Sequence, residues 1–271
     1  MPTAKSYLFV PGDRPERFEK ALNTHAGMVI LDLEDAVAPD AKDSAREGIR
    51  QWLEASDTRE FTQRLMLRVN DVDTSWYGRD VALLGSGKFQ GVMLPKAQSV
   101  KALEQLSATL EGQQEIIPLI ETVQGWDNAR QLGEATRVSR LAFGSVDFAI
   151  DAGIEGDQEE LDYVRSSLVL QSRLAGRAKP VDGVTVDFRN QDVLKADVAR
   201  SRRYGFGAKL CIHPAQVDVV NEGYAPSAKE IDWAHRVLEG VEKFGLGAFA
   251  LEGKLLDKPL FIRAQRILAA A

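Results

Sequence analysis

The chain is predicted to be an α/β protein, a closed (β/α)8 TIM barrel carrying a C-terminal helical extension. Three observations lead there. Short, near-continuous apolar runs alternate with longer stretches of helical spacing, the pattern of a parallel sheet covered by helices. Eight such runs occur, which suits closure better than an open sheet. The 271 residues, 44% of them hydrophobic, can bury the core of one large domain, and a barrel of this kind commonly takes about 250 residues.

The first run is SYLFV (6 to 10), followed by the turn PGDR and a helical stretch from Pro15 to Leu22. MVILDL (28 to 33) leads into helical spacing from Ala41 to Trp52. RLMLRV (64 to 69) and GVMLP (91 to 95) are the third and fourth strands, the latter followed by a helix over Ser99 to Leu110. EIIPLIE (115 to 121) precedes Trp126 to Leu132, and RLAFG (140 to 144) precedes Leu161 to Ala175. DGVTV (182 to 186), a helix over Asp192 to Tyr204, and AKLCIH (208 to 213) complete the set. The Gly-rich LGSGKF (84 to 89) stands before a strand, where a dinucleotide or phosphate loop would have to follow one, so it is expected to be a turn.

The pattern changes after Pro226, which places a barrel domain over 1 to 225 and an extension over 226 to 271. SAKEIDWAHRVLEGVEKFG is an amphipathic helix: Ser227 stands three residues before Glu230, the capping-box spacing, and Gly245 ends it. GAFALEGKLLDKPLFIRAQRILAAA then gives a Gly-punctuated extended piece and a final helix. This tail serves either as a brace on the barrel or as an arm over a neighbouring subunit's active site.

A net charge of −6 gives no electrostatic footprint for nucleic acid or an anionic membrane, so neither is an expected partner. The single cysteine, Cys211, excludes an internal disulfide and a cysteine-built zinc cage, and its apolar setting suits a packing role. No basic-then-apolar leader or apolar run of about 18 residues is read, and the cytoplasm is the default location.

In such a barrel the reactive groups come from the C-terminal ends of the strands. In order these are PGDR (11 to 14), Glu34 and Asp35, Arg68 with Asn70, Lys96, Glu121, Asp147, Asp187 and His213. Glu121 and Asp147 offer two hard oxygen ligands from successive strand ends, a set that suits Mg²⁺ completed by water and substrate oxygens. Three histidines in the whole chain make a three-imidazole zinc site a poor fit. Arg68, ending an apolar strand, either pairs with an acid such as Asp35 or receives substrate oxygens on its planar fork. Arg14, Arg17 and Lys20 fall close to one face where the first helix opens, either as a phosphate grip or as a solvated face. His213 either donates to substrate or is a satisfied loop residue, and Lys96 is a lesser candidate for Schiff-base chemistry.

The motifs SYLFVPGDRPERFEKA (6 to 21), LDLEDAV (31 to 37), LRVN (67 to 70), LPKA (94 to 97), PLIET (118 to 122), FGSVDF (143 to 148), IHPAQV (212 to 217) and GAFALEGKLLDKPL (247 to 260) together resemble the citrate lyase β-subunit-like enzymes. These are related to malyl-CoA and citramalyl-CoA lyases within the HpcH/HpaI aldolase superfamily. The resemblance spans nearly the whole chain and implies an Mg²⁺-dependent lyase that reversibly cleaves a carboxylated 3-hydroxyacyl-CoA to a short acyl-CoA and a 2-oxo acid. It implies Glu121 and Asp147 as metal ligands, Arg68 as the oxyanion arginine, and Phe9, Arg14 and Lys20 as holders of the CoA thioester. It further implies that Asp257 acts as acid/base in a neighbouring subunit's site within a homotrimer or a multiple of it. Alternatives are the β subunit of a citrate lyase complex acting on a citryl-acyl-carrier protein, a CoA-independent 2-oxo acid aldolase, and a barrel that only binds.

Overall fold

The computed structural model describes residues 4–55, 61–156 and 158–271. Eight parallel strands close into a barrel in chain order: β1 (Ser6–Pro11), β2 (Met28–Asp32), β3 (Leu65–Arg68), β4 (Gly91–Leu94), β5 (Glu115–Ile120), β6 (Ala142–Phe143), β7 (Val181–Asp182) and β8 (Ala208–Cys211), with β8 pairing back onto β1. The strands alternate with helices α1 (Phe18–Leu22), α2 (Lys42–Ala55), α3 (Tyr77–Ala82), α4 (Val100–Thr109), α5 (Val123–Asp127), α6 (Ala129–Glu134), α7 (Ser145–Ala152), α8 (Asp162–Leu174), α9 (Gln191–Tyr204) and α10 (Val217–Tyr224). The predicted fold class is therefore observed.

The barrel interior is packed by Tyr7, Ile30, Met66, Met93, Ile117, Leu119, Ala142, Val181, Ala208 and Leu210. Neighbours of opposite parity, such as Val29, Leu31, Leu67, Ile116 and Ile120, are equally buried, which is why the strands look continuously apolar in sequence. Near the N-terminal end of the strands the buried Arg140 donates to the carbonyls of Ala4, Lys179 and Pro180 and to the Tyr7 hydroxyl. Those bonds satisfy a charge that burial would otherwise penalise heavily.

Several elements depart from expectation. The seventh strand is two residues long and begins at Val181, not a run over 182 to 186. A Cβ at Gly183 would stand 2.3 Å from Ser145 Oγ, so the chain leaves the ladder where it passes close to α7. The stretch from Pro15 is a 3-10 turn over Pro15–Arg17 before α1, and Asn128 breaks the helix expected over 126 to 132 into α5 and α6. Asp147, expected in the turn after LAFG, lies in the first turn of α7. LGSGKF, expected to be a turn, begins within the 3-10 turn Leu83–Ser86, which Gly87 closes in the left-handed region at φ 66°.

The chain divides into two compact units, one ending at Asn221 and the other running from Glu222 to Ala271; the expected break was after 225. Within the second unit, α11 (Ala228–Phe244) and α12 (Lys258–Leu268) enclose a hairpin of β9 (Phe249–Leu251) and β10 (Lys254–Leu256). Its core is Ala234, Val237, Phe249, Leu256, Phe261 and Ala264. The Gly-punctuated segment is this hairpin, turned by Glu252 and Gly253 at φ 53° and 75°, the two successive positive-φ residues that a tight hairpin turn requires. The Ser227–Glu230 capping box is present. Among the described residues no helix is long and apolar enough to cross a membrane.

Candidate active site

Inward-facing parity carries past the core to the barrel's C-terminal rim. Tyr7 is followed by Phe9, Ile30 by Asp32, Met66 by Arg68, and Leu119 by Glu121, each two residues on and so on the same face. These side chains meet at a cavity of about 370 Å³, also lined by Pro11, Asp35, Ala36, Gly144, Ser145, Val146, Asp147, Val184, Leu210 and Ile212. Both expected metal ligands and Arg68 thus reach one cavity.

Glu121 is buried at 2% exposure. Its Oε1 accepts the Lys96 backbone N–H at 2.7 Å, and its Oε2 lies over Gly144, where a Cβ would stand 2.6 Å away. Only glycine leaves that carboxylate its place. Burial, and then the charges of Glu34 and Asp147, push the Glu121 carboxyl up to about 8. Asp147 is half-buried in the first turn of α7, where the helix dipole favours an acid.

Arg68 is committed to protein partners as well as facing the cavity. Its Nε and Nη2 donate to Asp32 Oδ1 and Oδ2, both at 2.6 Å, in a bidentate fork. Its Nη1 lies 2.9 Å from Glu34 Oε2 and 3.5 Å from Asp35 Oδ2. The Glu34 oxygen lacks hydrogen-bond alignment despite that distance, so this contact is coulombic. The guanidinium sits 4.6 Å from the centroid of the Phe9 ring. Of the two readings for Arg68, an acid partner is present, but it is Asp32 and not chiefly Asp35. Asp32 is the functional residue that strand-end reasoning missed. It is paired in register with Arg68 and shares the parity of Ile30, a signal that the sequence did contain.

Glu34 is buried, takes the Lys96 ammonium at 2.9 Å, and does not line the cavity. Burial raises the Glu34 carboxyl above its ordinary range, with Arg68 and Lys96 pulling against that rise. Burial works against the Lys96 charge, yet the Glu34 contact and the fields of Glu121 and Asp35 raise its pKa overall, which disfavours the neutral amine that Schiff-base chemistry needs.

Arg14 and Lys20 are exposed and lie outside the cavity lining. His213 is exposed, stacks on Phe188 at 4.8 Å and accepts the Ala215 N–H at 3.1 Å through Nδ1 as a helix-turn cap. It is a satisfied loop histidine in this structure. Asp187 accepts from the Arg189 and Asn190 N–H groups in its own turn. Asp257, in the second unit, is exposed at the N-cap of α12 with no side-chain cap bond.

The donor set fits a hard divalent cation. Asp32, Glu34, Asp35, Glu121 and Asp147 gather around Arg68 and Lys96, with Lys42 close behind Glu34, so carboxyl groups outnumber basic side chains in and around this cavity. Burial is the main cause of the upward push on Glu121, and the fields of Glu34 and Asp147 add to it. Among the described residues no group of three or more His, Cys, Asp or Glu side chains could hold a metal ion. Two carboxylates with water and substrate completing the shell are what Mg²⁺ commonly takes, in place of an all-protein cage.

Comparison with known proteins agrees with this fold. The family profile HpcH/HpaI aldolase/citrate lyase matches residues 5–214. A (3S)-malyl-CoA thioesterase of Cereibacter sphaeroides is 33% identical, covering 98% of this chain and 94% of that protein. An L-malyl-CoA/beta-methylmalyl-CoA lyase of Rhodobacter capsulatus is 33% identical over 97% of this chain and 93% of its own. The crystal structure of CitE from Mycobacterium tuberculosis in complex with magnesium, acetoacetate and coenzyme A superposes with a TM-score of 0.87 at 32% identity, covering 100% of this chain and 99% of that one.

Proposed function

The chain belongs to the HpcH/HpaI aldolase/citrate lyase family, and from that premise we propose that it is an Mg²⁺-dependent carbon-carbon lyase acting on a carboxylated 3-hydroxyacyl-CoA. The products are a short acyl-CoA and a 2-oxo acid, and the reaction is reversible. The observation that carries this reading is the rim cavity, where Glu121 and Asp147 stand beside an arginine held in a bidentate fork. When bound by Glu121 and Asp147, magnesium supplies Lewis-acid polarisation of the oxygen that becomes the ketone.

The remaining work falls to the chain's own residues. Arg68 is held rigid by Asp32 and by the Phe9 face, so its guanidinium meets developing negative charge on substrate oxygen without reorganising. Phe9 packs beside the thioester, while Arg14 and Lys20, exposed beyond β1, suit the phosphates of CoA. Asp35 at the cavity can accept from a substrate hydroxyl, and His213 at the rim, its Nδ1 taken by the Ala215 N–H, has Nε2 left to donate to the substrate carboxylate. Asp257 moves the proton: it takes one from the acyl-CoA methyl group in condensation and returns one in cleavage. Its exposed position at the start of α12 suits delivery into a neighbouring subunit's site, with a homotrimer or a multiple of it as the assembly. A CoA substrate suits a cytoplasmic enzyme.

The test is to incubate the pure protein with Mg²⁺ and a panel of malyl-, citramalyl- and citryl-CoA, following acyl-CoA, 2-oxo acid and free thiol separately. Cleavage that yields acyl-CoA and 2-oxo acid, and stops in EDTA, is expected. Release of free CoA thiol with the hydroxy acid intact would point instead to hydrolysis, the activity in the name of the Cereibacter relative. Cleavage that persisted in EDTA would remove the metal role from Glu121 and Asp147.

A further inference from the structure

Lys96 is held in a backbone conformation that an L-residue seldom adopts. It follows β4 by two residues with φ at +45°, a left-handed geometry that glycine enters freely and a residue with a Cβ does not. That geometry aims the Lys96 N–H at Glu121 Oε1, 2.7 Å away. Gly144 leaves room for the other oxygen, so the carboxylate is fixed from both sides.

The side chain does something different. Lys96 Nζ lies 2.9 Å from Glu34 Oε1, and Glu34 Oε2 lies 2.9 Å from Arg68 Nη1. Glu34 is itself anchored by its N–H to Asp32 Oδ1 at 2.9 Å and by its carbonyl to Lys42 Nζ at 2.7 Å. A continuous chain therefore runs from Glu121 through Lys96 and Glu34 to Arg68 and Asp32. The backbone contact alone would be served best by glycine, and the ion pair alone calls for no unusual backbone. Both contacts together account for a lysine at a left-handed position. Lys96 does not line the substrate cavity; it lines a neighbouring one of about 430 Å³ with Tyr77 and Lys101.

We infer that Lys96 is a positioning residue with two separable duties, its backbone N–H orienting Glu121 for the divalent cation and its ammonium holding Glu34 against Arg68. This rests on the reading of Glu121 as a cation ligand. The two duties are separated by substitution. Lys96→Gly keeps the N–H in place and deletes the ammonium; Lys96→Val disfavours the left-handed backbone and deletes both; Lys96→Arg restores a cation.

Mn²⁺ affinity is measured by electron paramagnetic resonance of the free ion, and kcat and KM by the lyase assay. In Lys96→Gly, Mn²⁺ affinity is expected to stay within about twofold of wild type while kcat falls about 10- to 100-fold at little-changed KM. Lys96→Val is expected to lose about tenfold or more in Mn²⁺ affinity as well, and Lys96→Arg to recover most of kcat. Wild-type Mn²⁺ affinity in a folded Lys96→Val, or wild-type kcat in Lys96→Gly, overturns the inference. Should Lys96→Val not fold, Lys96→Gly decides alone, since a loss of Mn²⁺ affinity beyond about tenfold there assigns the Glu121 effect to the side chain and overturns it. Glu121→Gln separates this from the underlying reading: if that variant binds Mn²⁺ as wild type does, the cation site itself is misassigned, whatever the Lys96 variants do.

Discussion

At the scale of single residues the site is a contest between burial and charge. Asp32 and Arg68 are both nearly inaccessible, and removing one partner of a buried pair leaves the other charge without compensation. Asp32→Asn is expected to cost about 3 to 5 kcal/mol in urea unfolding and about 10²- to 10³-fold in kcat as the arginine loses its orientation. Asp35→Asn, on an exposed side chain 3.5 Å from the same guanidinium, should change stability by less than about 0.5 kcal/mol and show its effect in KM. Glu121 gives a pH signature. Its carboxyl, at about 8 in the folded protein, keeps a proton that the unfolded chain releases near the ordinary glutamate value, so folding stability without a cation falls as pH rises through that window. Cation binding has the opposite sign, because Mg²⁺ takes the place of that proton. Thermal melts in EDTA should show a falling midpoint between about pH 6 and 8, with a stabilisation by Mg²⁺ that grows over the same range. Glu121→Gln should flatten both.

At the scale of elements, the positions where strands stop matter more than where they run. Gly144 ends β6 and begins α7, and a methyl group there would collide with the Glu121 side chain at 2.6 Å. Gly144→Ala is expected to lower Mn²⁺ affinity about tenfold or more, measurable by the same titration, with the barrel intact by circular dichroism. In the second unit Ser227→Ala removes a formed capping box and should cost about 1 kcal/mol, seen as faster amide exchange in the first turn of α11 with no change in the barrel. The elements themselves were largely legible. Eight apolar runs marked eight strands, because both faces of a parallel barrel strand are covered. Strand ends were less legible, since β7 stops at Asp182 for a reason that lies in α7, at Ser145.

At the scale of the whole molecule, Asp257 is proposed to serve a neighbouring subunit's cavity. If the extension completes a neighbour's site, Arg68→Lys and Asp257→Asn should each be nearly inactive alone, because lysine lacks the planar fork and asparagine cannot carry the proton. Mixed under conditions that exchange subunits, they should regain a substantial part of wild-type turnover, since some cavities then receive an intact Arg68 and an intact Asp257. No recovery after demonstrated exchange would place Asp257 with its own barrel or outside the reaction.

The sequence by itself determined the barrel, through strands apolar on both faces alternating with helices, and determined the acids at its rim, through Glu121 and Asp147 standing where apolar runs end. Tertiary structure alone decided the partners. Asp32 meets Arg68 because β2 and β3 pair in that register, Lys96 meets Glu121 and Glu34 across 25 and 62 residues of chain, and Gly144 makes room for a carboxylate on another strand. Periodicity records which way a side chain faces; it carries no record of which distant side chain is there to meet it.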